Sequence, residues 1–252
     1  MAFGTTEMKR FKSRVFPIFA AALFGFMGIA KAQTTTKVTM DLDAKDRSMV
    51  TIASLTAKGD LEKLEPALKK GLEAGLTINQ IKEVMVHLYA YCGFPRSLQG
   101  LRTFIKVLDE RKTKGIEDTL GAEAAPLEDD RPKYERGKAN LEALVGTKLD
   151  GPPADYAQFA PIIEVFLKEH LFADIFDRDI LDYRQRELVT VSVLATIGDV
   201  APMLRSHMNI CLIQGVTPAQ LKELVHVVGE NVDQAKIESA KTVLGELLES
   251  KK

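Results

Sequence analysis

Residues 46–60 read DRSMVTIASLTAKGD and residues 185–199 read QRELVTVSVLATIGD, with six of the fifteen positions identical. A second stretch recurs at nearly the same offset: GLTINQIKEVMV from Gly75 and GVTPAQLKELVH from Gly215. A unit that appears twice decides architecture before any single residue does, because each copy carries an apolar face that the other can cover. The copies have diverged in complementary ways. His207 of the second copy stands where the first has Ala67, and the first carries Tyr91-Cys92-Gly93-Phe94-Pro95 where the second has Asn231-Val232-Asp233-Gln234-Ala235. Such a duplication can retain one composite site.

Punctuation in both copies is helical. Gly59-Asp60 and Gly198-Asp199 each end one helix and open the next, and Thr77 and Thr217 are placed to cap a third, with Pro218 at a first helical position. Asp182 and Gln185 form a capping-box pattern before the second copy's first helix. Final helices are expected over about 95–112 and 234–249. Nothing alternates with period two, so no strand is expected. Residues 114–133, rich in acid, Gly and Pro, read as a linker. Two further helices follow over 134–146 and 156–172; the second has an apolar stripe of Phe159, Ile162, Ile163, Phe166 and Leu167, read as packing between the copies. The expected organisation is all-α: a helical unit over 41–113, the linker, and a second unit over 134–252.

The chain has 252 residues, 46% hydrophobic and 27% charged, with a formal net charge of -1, which offers no basic excess for nucleic acid. Lys9, Arg10, Lys12 and Arg14 precede the apolar run of residues 15–30, which Ala30-Lys31-Ala32 follows. That order resembles a secretory signal cleaved after Ala32. The run is short of the roughly 20 apolar residues of a bilayer span, so an uncleaved anchor is the lesser reading. Residues 1–32 are thus expected to be a signal peptide and the protein to be periplasmic or secreted, with no stable membrane anchor. An oxidising compartment permits a Cys92–Cys211 disulfide, and buried free thiols are the alternative.

Leu204, His207, Met208, Cys211 and Leu212 fall at i, i+3, i+4, i+7 and i+8, one core-facing stripe. His207 therefore points inward, as a hydrogen-bonded core residue or as an acid/base. Glu187, early in the preceding apolar helix, is placed either to orient His207 or to pair with Arg184 or Arg205. Arg47 and Arg186, identical between copies, suit a structural pair at the repeat interface. His87 and Tyr91 lie one turn apart before the Gly-Phe-Pro corner, where the tyrosine either packs or offers its hydroxyl to an oxyanion. His170 and His226 read as surface or capping residues. No His/Cys spacing matches a metal site and no Gly-rich loop matches a phosphate cradle.

The segments RELVTVSVLATIGD, LRSH, GVTPAQLKELV and GLTINQIKEVMVHLYAYCGFPRSL resemble the carboxymuconolactone decarboxylase family, which includes AhpD-type alkylhydroperoxidases. The resemblance covers about 45–112 and 183–249. It implies an AhpD-like all-α bundle that assembles as a homo-oligomer, for tandem chains a trimer, acting on a small-molecule substrate without a cofactor. Its peroxidase branch uses a Cys-x-x-Cys dithiol before the histidine; here those positions hold Val200 and Met203. Its decarboxylase branch implies His207 as acid/base, Glu187 as orienter, and Tyr91 with His87 as polar wall groups. A decarboxylase-like lyase is the leading expectation; a peroxidase and a non-catalytic helical binding protein are the alternatives.

Overall fold

The two copies interlock through their first helices. A computed structural model of the chain describes residues 41–251, which lie within one compact unit. The expected signal segment and its cleavage after Ala32 lie outside the described residues. In the first copy α1 spans Ala44–Lys58, α2 Leu61–Glu73 and α3 Ile78–Thr113. Between the copies come α4 (Lys133–Val145), α5 (Asp155–Phe159), α6 (Pro161–Val165) and a π-helix (Phe166–Ile175). The second copy supplies α7 (Tyr183–Ile197), α8 (Ala201–Ile213), α9 (Pro218–Gly229) and α10 (Gln234–Glu249). Among the described residues there is no strand, and no helix is long and apolar enough to cross a membrane.

The caps act where the sequence places them. Thr77 and Thr217 accept from the backbone N–H of Gln80 and Gln220, both at 3.1 Å, and Asp182 accepts from that of Gln185 at 2.7 Å. At all three the glutamine side chain returns the bond to the cap's backbone N–H, so two donors with no helical partner are satisfied reciprocally. α3 bends at Gly93 (φ 81°, ψ 158°), just before Pro95, so the helix that ends at Tyr91 and the one that opens at Pro95 meet at a corner.

α1 packs on α7, and each enters the core of the other copy. Val50 of α1 is buried among second-copy residues such as Leu188, Leu224 and Val225, while Val189 and Val193 of α7 are buried with Met49, Leu64 and Leu88 of the first. Ion pairs cross over in the same way. Arg47 binds Glu223, and its counterpart Arg186 binds Glu83, the counterpart of Glu223, at 2.9 Å. The two identical arginines therefore do not pair with each other; each reaches an acid of the opposite copy. Their surroundings differ, because the Arg47 side chain is 40% exposed and Arg186 and Glu83 are sealed.

The segment between the copies departs from expectation. Residues 156–172 do not form one helix: Pro161 restricts Ala160 before it to φ -132°, ψ 79°, and the chain restarts as α6 and then widens into the π-helix. The apolar stripe expected to pack between copies faces outward, with Phe159 94%, Ile162 58% and Phe166 57% exposed. Leu171, Phe172 and Ile175 fill the inner side instead, against Leu144 of α4 and Ile210 of α8. α4 approaches closely enough that a Cβ on Gly137 would lie 1.7 Å from the Lys168 carbonyl oxygen. The linker runs back over the start of α3, where the carbonyls of Thr119 and Leu120 accept from the N–H groups of Ile78 (3.0 Å) and Asn79 (2.9 Å).

Candidate functional site

The capping box at Asp182 starts α7 so that Glu187 falls in its second turn, fully buried. α8 crosses α7 and presents His207 from its middle. His207 Nδ1 lies 2.7 Å from Glu187 Oε2, a charge-assisted distance. Arg184 and Arg205, the other partners considered for this acid, pair elsewhere: Arg184 with Asp46 at 2.7 Å and Arg205 with Glu246 at 3.8 Å. With Nδ1–H given to the carboxylate, Nε2 makes no hydrogen bond among the described residues. The His207 side chain keeps 17% of its exposure.

Tyr91 arrives from the other copy. Its ring meets that of His207 edge-on, centroids 5.8 Å apart at 89°, so the residues share one locality without a hydrogen bond between them. The Tyr91 hydroxyl and Glu187 Oε1 are both buried, and neither has a hydrogen-bond partner among the described residues. A buried polar atom left unpaired costs on the order of 1–3 kcal/mol. Burial, and next the Glu187 carboxylate, push the Tyr91 hydroxyl up, which keeps it a proton-bearing donor.

His87 is fully buried and is not a wall group facing an opening. Its Nε2 lies 2.9 Å from Thr190 Oγ1, and Arg186 Nη1 lies 3.3 Å from its Nδ1. Because the Thr190 hydroxyl donates to the Arg186 carbonyl at 3.0 Å, it accepts from His87 Nε2–H, which leaves Nδ1 as acceptor for the guanidinium. Burial, and then the Arg186 charge, hold His87 well below the usual imidazole range. Its ring lies 5.4 Å from that of Tyr91 and 5.5 Å from that of Phe176, so it serves as the backing of the tyrosine.

Reading the residues alone missed the support for this locality. Thr190, Glu83 and Arg178 form it with Arg186: Arg178 Nη2 and Arg186 Nη2 each lie 2.9 Å from the Glu83 carboxylate. One signal was present, since Lys-Glu stands at 82–83 and again at 222–223, the acids that both arginines reach. Two hollows, of about 310 and 330 Å³, are lined by residues other than His207, whose side chain is only partly exposed.

The thiols are free and far from nucleophilic. Cys211 is sealed in the core, where burial raises it well above the usual thiol range, and burial takes Cys92 to about 11. His170 and His226 are exposed, beside Asp174 (3.2 Å) and Glu230 (3.7 Å). Among the described residues no group of three or more His, Cys, Asp or Glu side chains converges as a metal site.

Comparison with known proteins agrees with the repeat. The sequence model of the "Carboxymuconolactone decarboxylase family" matches residues 20–105 and again 165–246, together about two thirds of the chain. The chain is also 30% identical over 70 residues to an uncharacterized protein of Methanocaldococcus jannaschii; the match takes in 28% of this chain and spans 65% of that relative's length.

Proposed function

Because the chain belongs to the carboxymuconolactone decarboxylase family, we propose that Glu187, His207 and Tyr91 form a single acid/base site for cofactor-free decarboxylation, or proton transfer, on a small lactone or carboxylic acid. The carrying observation is the 2.7 Å contact between Glu187 and His207 Nδ1, which leaves Nε2 without a hydrogen bond among the described residues on a partly exposed side chain.

In such a step the bond between the carboxylate carbon and its neighbour breaks and carbon dioxide leaves. The bonding pair passes into the conjugated carbonyl as an enolate. The Tyr91 hydroxyl, held protonated by burial, is the group to donate a hydrogen bond to the developing oxyanion. His207 in its imidazolium form delivers the proton to carbon, Glu187 stabilises that cation, and a proton from water restores it. One site serves the whole chain, because the repeat-related place holds Ser48, Ala67 and Asn231, which carry none of this chemistry.

A peroxidase cycle finds no support, since Val200 and Met203 stand at the dithiol positions and both thiols are raised by burial. One observation favours the non-catalytic alternative: neither hollow borders His207. The test is release of carbon dioxide from carboxylated γ-lactones by the wild type and His207→Ala, beside peroxide turnover with a thiol donor. We expect a loss of about 10²–10⁴-fold in the variant with unchanged helicity. Equal rates, or no turnover of any lactone acid by the wild type, would sink the acid/base reading.

A further inference from the structure

The hollow of about 310 Å³ lies where the two copies meet, and repeat-related residues line it from both sides. Arg96 of the first copy faces its counterpart Lys236 of the second, and Cys92 faces its counterpart Val232. The volume is at the small end of small-molecule clefts, which run from roughly 300 to 1,000 Å³.

Cations outnumber carboxylates along its lining. Lys58, Arg96 and Lys236 contribute cations and Asp233 the lining carboxylate, with Asp60 3.3 Å from Lys58 Nζ just behind. Two of the cations are anchored to carbonyls of the second copy: Lys58 Nζ donates to the Asn231 carbonyl at 2.8 Å, and Lys236 Nζ to the Thr196 carbonyl at 3.1 Å. Arg96 forms no ion pair among the described residues; its guanidinium lies against Gly59, where an added Cβ would come within 1.6 Å of Nη1. The sixteen-residue α10 also begins here, and its Asp233 cap leaves the first-turn N–H groups without a side-chain acceptor. Ile197 and Val232 give the hollow an apolar side.

We propose that this hollow binds a small organic anion, its oxyanion group held by Arg96, Lys236 and Lys58 and a short apolar body lying on Ile197 and Val232. None of Glu187, His207 and Tyr91 lines the hollow, although Cys92 directly follows Tyr91 in α3. Thr196 lies nine residues beyond Glu187 on α7, about 13 Å of helix rise, so the proposal does not depend on the catalytic reading.

Calorimetric titration of the full chain with inorganic phosphate, acetate and butyrate, each against chloride at matched ionic strength, tests it. We expect saturable binding with butyrate tighter than acetate, weakened at least tenfold in the Arg96→Gln/Lys236→Gln double variant and unchanged in His207→Ala. Phosphate binding more tightly than both acids would assign the site to a phosphate-bearing ligand. Location is read separately from Cys92, which lines the hollow, whereas Cys211 is sealed. Alkylation of Cys92 at alkaline pH should slow when the tightest-binding anion is present. Equal affinity in the double variant, no anion effect beyond chloride, or binding that leaves Cys92 alkylation unchanged would overturn the proposal.

Discussion

At the scale of single residues, Arg186 and Arg47 show how one inherited contact comes to have two weights. Both reach a glutamate of the opposite copy, yet Arg186 and Glu83 are sealed while Arg47 is 40% exposed. Glu83→Gln strands buried guanidinium charge and is expected to lower stability by about 3–5 kcal/mol, whereas Glu223→Gln should cost about 1 kcal/mol or less. Urea denaturation of the two variants checks this, and similar losses would contradict the assigned burial. His87 gives a pH signature. Its folded-state affinity for a proton is depressed, so above about pH 6.5 both states are neutral and it adds no pH dependence. As pH falls below that, the unfolded chain takes up the proton first and the fold loses up to about 1.4 kcal/mol per pH unit. His87→Gln should flatten this slope; an unchanged slope between pH 6.5 and 5 would show that the imidazole is not held neutral.

At the scale of elements, the bend in α3 sets where Tyr91 lies. Gly93 occupies φ 81°, ψ 158°, a conformation essentially reserved for glycine, and a Cβ there would meet only Pro95 Cδ at 3.5 Å. The expense of Gly93→Ala is therefore conformational, about 1–3 kcal/mol, and part of it should appear as displacement of Tyr91 and lower turnover. At Gly137 the reason is space. A Cβ 1.7 Å from the Lys168 carbonyl forces α4 off the π-helix, so Gly137→Ala should lower the melting temperature with little direct effect on Glu187 and His207. Thermal melts alongside turnover separate the two, and equal effects on activity per degree lost would remove the role given to the bend.

At the scale of the whole molecule, the described residues bring Glu187, His207 and Tyr91 together and leave the Phe159 stripe facing outward. Phe159, Ile162 and Phe166 are more exposed than side chains of a lone soluble chain ordinarily are in such proximity. The family resemblance implies a trimer of this chain, and we propose that its contacts include this face. Light scattering should report a trimer, which Phe159→Glu with Phe166→Glu should dissociate; a monomeric wild type would end that proposal.

The repeat, the caps and the all-helical order were legible in the residues because they are set locally: a threonine three positions before a glutamine, a glycine that stops a helix, an apolar stripe at helical spacing. Glu187 with His207 was partly legible for the same reason, since the candidate partners of that acid, His207 or Arg184 or Arg205, stand on its own helix or the next one. The outward turn of the Phe159 stripe was not, because amphipathic spacing says that a face is apolar and not what covers it. Nor was the sealing of His87 by Thr190 and Arg186. That depends on how deeply α3 of one copy enters against α7 of the other, which only packing of the two halves decides, since burial and hydrogen-bond partners across 99 to 103 residues of chain have no local signal.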